Sequence, residues 1–121
     1  MTQIVHAGRT ETKVVVAFDI RWEGELSGGG SVTWSMTVTS PDGQDSVRLA
    51  YELVDGEAAQ YVLDRVSGRR QDVTPDADLG DDEITVRFPT ASVGVAAPWP
   101  SWRAVITVDG EDVAERLLML G

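Results

Sequence analysis

Hydrophobic residues recur at every second position over most of this chain. Val14, Val16, Phe18, Ile20 and Trp22 alternate with Lys13, Val15, Ala17, Asp19 and Arg21. The same period runs through Val32, Trp34, Met36 and Val38, and through Val47, Leu49, Tyr51 and Leu53. It returns in Ile84, Val86 and Phe88, and again in Ala104, Ile106 and Val108. Side chains on a strand point to opposite faces in turn, so each run predicts a strand with one buried and one wetted face. The runs are rich in Val, Thr, Ile and aromatic residues, which suit a pleated, half-buried surface.

Turn signals separate the runs. Ser27-Gly28-Gly29-Gly30-Ser31 stands between the first two and Pro41-Asp42-Gly43 between the next pair. The SGGGS run reads as a flexible surface loop, natural or engineered. Asp55-Gly56 leads into a weaker strand at Ala59–Val66, and Asp109-Gly110 leads into a last segment, Asp112–Leu120. Val-Asp-Gly-Glu therefore occurs twice, at Val54–Glu57 and Val108–Glu111. An Asp-Gly pair supplies the positive φ angles of a type I′ turn. The residues that follow the two copies differ, so the recurrence is hairpin chemistry used twice and not an internal repeat. The last segment fits either a short helix or a strand, and the turn before it favours the strand. One helical turn is expected at Thr90–Val93. About seven to nine short strands predict a single antiparallel β-sandwich over residues 1–121, immunoglobulin-like or jelly-roll-like, with little helix.

Composition narrows the functions. A chain of 121 residues fits one domain with a core of its own, and 42% apolar residues argue against wholesale disorder. The absence of Cys excludes disulfides, thiolate metal sites and a Cys nucleophile. Twenty acidic against ten basic residues leave a net charge of −10. That balance repels nucleic acid and anionic membranes, and it favours solubility or basic partners. The start, MTQIVHAGRTETK, has no apolar segment of signal-peptide type, and no run approaches the roughly 20 residues of a membrane span. These features suit a cytoplasmic protein, or an extracellular domain expressed without its leader.

Candidate chemistry is sparse. His6 is the single histidine, and no G-x-S-x-G elbow supplies a nucleophile for a triad. An ordinary strand or loop histidine is the preferred reading. Trp22 and Trp34 fall in phase with the apolar faces of their strands. Trp99 and Trp102 sit in Pro98-Trp99-Pro100-Ser101-Trp102, where prolines stiffen the backbone and can hold an indole ring flat at the surface. Exposed indoles stack on sugar rings and anchor protein contacts, so Trp99 and Trp102 are the candidate ligand-binding residues; the alternative is that they cap the end of the sandwich. Asp76, Asp78, Asp81, Asp82 and Glu83 form an acidic cluster with weak potential for a hard cation, without the spacing of an EF-hand. A solvated connection before the Ile84 strand is the preferred reading. Arg65, Arg69 and Arg70 make the densest basic patch, too small for nucleic acid.

Ile4-Val5-His6-Ala7-Gly8-Arg9, followed by Val14-Val15-Val16, resembles the opening of a group of uncharacterised actinobacterial β-sandwich domains that read V-x-H-G-x-R before a Val-rich strand. Ala59–Asp64 and Asp82–Pro89 continue the likeness, the latter resembling a D-x-V-T-V-x-V-P strand. Such domains are similar to DOMON and carbohydrate-binding-module sandwiches. The resemblance implies a haem or sugar ligand; a His/Met axial pair would have to come from His6, Met36 or Met119, and no ligand residue is carried over. The expected function is a non-catalytic binding module without cofactor, for carbohydrate or another flat ligand. The alternative is a protein-interaction or structural domain. A small hydrolase is the third reading, and the least supported.

Overall fold

The computed structural model describes residues 2–26 and 30–119, so Ser27, Gly28 and Gly29 of the glycine-rich run lie outside the described residues. Ten strands form, in chain order β1 (Gln3–Glu11), β2 (Val15–Glu23), β3 (Ser31–Thr39), β4 (Ser46–Val54), β5 (Glu57–Asp64), β6 (Arg70–Val73), β7 (Ala77–Leu79), β8 (Glu83–Pro89), β9 (Ser101–Val108) and β10 (Glu111–Met119). They assemble into two antiparallel sheets. The smaller has the order β1-β2-β8-β7 and the larger β10-β9-β3-β4-β5-β6. The protein is an all-β sandwich, with one helical turn, α1, at Thr90–Val93.

The count exceeds the seven to nine strands expected. β6 and β7 are short, polar and at sheet edges, so they carry no alternating signal. β1 is also missing from the period-two pattern, because its register shifts between Ile4 and His6. The extra residue of such a bulge, here Val5, breaks the alternation.

The predicted inward faces are the core, except at Val14, which precedes β2 and is exposed. Val16, Phe18, Ile20 and Trp22 of β2 meet Trp34, Met36 and Val38 of β3 across the two sheets, with Ile84, Val86 and Phe88 from β8. Phe18 stacks on Phe88 with ring centroids 6.0 Å apart. Toward the opposite end, Trp34 packs between Trp22 and Tyr51 at 5.7 and 6.3 Å. Aromatic pairs at these distances add about 0.5–1.5 kcal/mol each beyond the burial of their area.

One polar side chain ties the sheets together inside this core. Gln60 of β5 is almost fully enclosed. Its Nε2 donates to the carbonyl of Arg87 on β8 at 2.7 Å, and its Oε1 accepts from the backbone N–H of Asp76 at 2.8 Å. The chain crosses from the larger to the smaller sheet through Thr74-Pro75-Asp76, and Gln60 holds that crossover in place.

Both Asp-Gly turns take the predicted form. Asp55 and Gly56 have φ of 52° and 83°, and Asp109 and Gly110 have 50° and 85°. Each Asp visits the left-handed region, as a type I′ hairpin requires.

Candidate functional site

The tryptophan corner comes first, because the sequence nominated it. Trp102 opens β9 in phase with Ala104 and Ile106, and its ring is fully buried. The indole Nε1 donates to the carbonyl of Trp99 at 2.8 Å. Arg9, on the inward phase of β1, donates from Nη1 to the same carbonyl at 2.7 Å and places its guanidinium carbon 4.6 Å from the centre of the Trp102 ring. Burial holds the Arg9 pKa below its ordinary value, with nearby Glu11 acting in the opposite direction. The structure therefore brings Trp99 and Trp102 together but does not make them a paired platform. Trp102 has no face open to a ligand, since the period-two phase of β9 turns it inward. Trp99 is half-buried and packs against the core.

The acidic cluster is divided by the fold. Asp76 and Asp78 both bind the Arg87 side chain, Asp76 at 3.0 Å. These contacts hold the Arg87 pKa above its ordinary value. Asp81 and Asp82 lie beyond them in the turn before β8. Among the described residues no group of three or more His, Asp or Glu side chains is placed to share a metal ion. Arg70 lies over the Tyr61 ring at 3.9 Å and pairs with Asp72 at 2.8 Å.

A different set of residues converges on the outward face of the smaller sheet. A cleft of about 360 Å³ is lined by His6 and Thr10 of β1, Ala17, Asp19, Ile20 and Arg21 of β2, and Glu83, Ile84 and Thr85 of β8. The register explains the convergence. His6 stands opposite Arg21 and Gly8 opposite Asp19 on one side; Arg21 stands opposite Glu83 and Asp19 opposite Thr85 on the other. The Val5 bulge matters here, because it resets the phase of β1 and turns His6 outward while Ile4 and Ala7 stay in the core.

Two polar pairs span the cleft. His6 Nε2 lies 3.0 Å from Asp19 Oδ2, and Arg21 Nη2 lies 3.4 Å from Glu83 Oε2. Gly8 makes the first pair possible. A Cβ at that position would lie 2.7 Å from Asp19 Oδ1 and 3.3 Å from His6 Nε2. All four polar side chains are more than a third exposed. Exposed pairs of this kind contribute about 0–1 kcal/mol, so a ligand can displace them at little cost.

No local pattern in the chain marks this cleft. Its polar residues come from positions near 6, 20 and 84, and only the pairing of β2 with both β1 and β8 unites them. His6 and Glu83 alone were visible beforehand, His6 as an ordinary strand histidine and Glu83 as the end of the acidic cluster.

A larger opening of about 440 Å³ lies at the crossover edge, lined by Val14, Val15, Thr74, Pro75, Asp76, Arg87, Phe88 and Pro89. It is mostly apolar, and its one charged pair, Arg87 with Asp76, is already closed on itself. No helix among the described residues is long and apolar enough to cross a membrane. No protein-family model, curated protein or solved structure matches this chain.

Proposed function

We propose that this domain is a non-catalytic binding module whose ligand is a small, hydroxyl-rich molecule of the carbohydrate class, taken up in the cleft on the smaller sheet. The observation that carries the reading is the mixture of groups on one shallow surface. Asp19 and Glu83 accept hydrogen bonds, Arg21 donates them, and His6, Thr10 and Thr85 do both. Sugar hydroxyls need donors and acceptors in alternation. The volume lies at the small end of the range for ligand sites, which suits a monosaccharide or disaccharide.

The chemistry also bounds the affinity. No Trp, Tyr or Phe ring lines the cleft, so hydrogen bonds carry the binding. Four net bonds of about 1 kcal/mol each amount to a Kd on the order of 1 mM. The non-catalytic reading rests on a thin inventory: one His, no Cys and no nucleophile motif.

Saturation-transfer NMR across a panel of soluble saccharides tests this. At least one saccharide should receive signal from the wild-type domain, and Asp19→Ala should lose it while Trp99→Ala keeps it. Loss with Trp99→Ala alone would move the site to the tryptophan corner. No transfer to any saccharide would end the carbohydrate reading.

A further inference from the structure

A separate groove lies where the larger sheet meets the helical segment. Gln71 stands opposite Val62, on the inward phase of β6, and its Nε2 donates to Ser92 Oγ of α1 at 3.3 Å. Beside this bridge is an opening of about 280 Å³. Its floor is apolar, built from Val47 of β4, Val62 of β5 and Val93 of α1, the last two buried. Val95, in the turn Gly94–Ala96 that follows α1, forms part of the lining and is 80% exposed.

The same groove is lined by one carboxylate and one guanidinium. Asp64 closes β5 and Arg69 stands just before β6, so the β5–β6 turn brings both to the groove. Both are exposed. They form no ion pair with each other or with any other described residue. Asp64 Oδ1 accepts from the backbone N–H groups of Val66 and Ser67 at 3.0 and 3.2 Å. Those bonds fix the carboxylate and leave Oδ2 without a partner among the described residues. The Arg69 side chain makes no hydrogen bond among the described residues. In the basic patch of Arg65, Arg69 and Arg70, Arg70 is engaged by Tyr61 and Asp72, whereas Arg69 faces the groove.

We infer that this groove binds a free α-amino acid with an aliphatic side chain. Its carboxylate meets the Arg69 guanidinium, its ammonium meets Asp64 Oδ2, and its side chain lies on Val47, Val62 and Val93. Arginine presents a planar fork that matches a carboxylate. A zwitterion satisfies both rim charges at once. A simple anion would be opposed by Asp64, and a simple cation by Arg69. Apolar side chains favour the valine floor by the area they remove from water. The volume lies just below the usual range for drug-sized ligands, which suits a molecule as small as leucine.

The test is a titration of ¹⁵N-labelled protein with L-leucine, with glycine, leucinamide and isocaproate as comparison probes. Leucine should shift the amides of Val62, Arg69, Gln71, Val93 and Gly94, with a Kd on the order of 1 mM. Glycine lacks the side chain, leucinamide the carboxylate and isocaproate the ammonium, and each should bind about fivefold more weakly or worse. Arg69→Gln and Asp64→Asn should each weaken leucine about fivefold. Asp64→Asn keeps the side-chain oxygen that accepts from Val66 and Ser67. Should it nonetheless unfold the turn, Arg69→Gln decides, because its side chain supports no hydrogen bond or ion pair among the described residues. Isocaproate or leucinamide binding as well as leucine would mean a site for apolar anions or cations and overturn the inference. Glycine binding equally would remove the apolar floor from recognition and overturn it too. Shifts spread over the surface, or none, would likewise overturn it. The saccharide cleft is on the outward face of the smaller sheet, so each of these results leaves that reading standing.

Discussion

Arg9 lies over the ring of Trp102, its guanidinium carbon 4.6 Å from the ring centre, and both residues bond the carbonyl of Trp99. A charged group thus closes one end of a largely apolar core. The cation–π contact and the charge-assisted hydrogen bond together predict that Arg9→Ala destabilises the domain by about 2 kcal/mol. Urea denaturation followed by tryptophan fluorescence checks this. A loss below about 0.5 kcal/mol would mean that Arg9 is only a surface side chain.

Gln60 makes the corresponding link at the other side of the sandwich. Replacing it with Leu keeps the bulk but strands the Arg87 carbonyl and the Asp76 N–H. The expected loss is about 2–3 kcal/mol. Amide hydrogen exchange at Asp76 should accelerate in the same variant, because its N–H loses the Gln60 acceptor.

Gly8 holds room for the His6–Asp19 pair, so Gly8→Ala should act on binding more than on folding. The new methyl group meets a side-chain oxygen that can swing away, which limits the stability change to about 1 kcal/mol. Saccharide binding should fall severalfold in the NMR titration as Asp19 leaves its place. Unchanged binding would detach the pair from the site.

Two aspartates contribute to the acid sensitivity of the fold. Backbone N–H groups of Ser67 and Val66 hold the Asp64 carboxyl below its ordinary range. The Ser40 hydroxyl and the Gln44 N–H do the same for Asp42. A depressed folded-state pKa contributes stability above the unfolded value, about 3.9, and that stability is lost as pH falls through the lower folded value. The urea midpoint of the wild-type protein should therefore drop below about pH 4. Asp64→Ala should begin lower at neutral pH and show a shallower acid drop. A parallel pair of pH curves would remove Asp64 from this role.

The fold was legible where local chemistry and burial agree. β2, β3, β4, β8 and β9 bury one face against the core, so each shows in its alternation. The two Asp-Gly turns were legible because few residue pairs accept successive positive φ angles. β1 was hidden by the Val5 bulge, and β6 and β7 by their exposed polar sequences. Trp102 could have been placed in the core from its phase with Ala104 and Ile106; the prolines around Trp99 drew it toward the loop. The cleft was illegible for a different reason. His6, Asp19 and Glu83 meet only through long-range strand pairing, which no local pattern records.

The most direct test of the cleft is a residue-resolved map of saccharide binding by ¹⁵N NMR, with the tryptophan indole signals read in the same spectra. Shift changes should concentrate on the amides of His6, Gly8, Asp19, Arg21 and Thr85, and the indoles of Trp99 and Trp102 should stay fixed. Movement of the Trp99 indole with those amides unmoved would contradict the placement of the ligand on the smaller sheet.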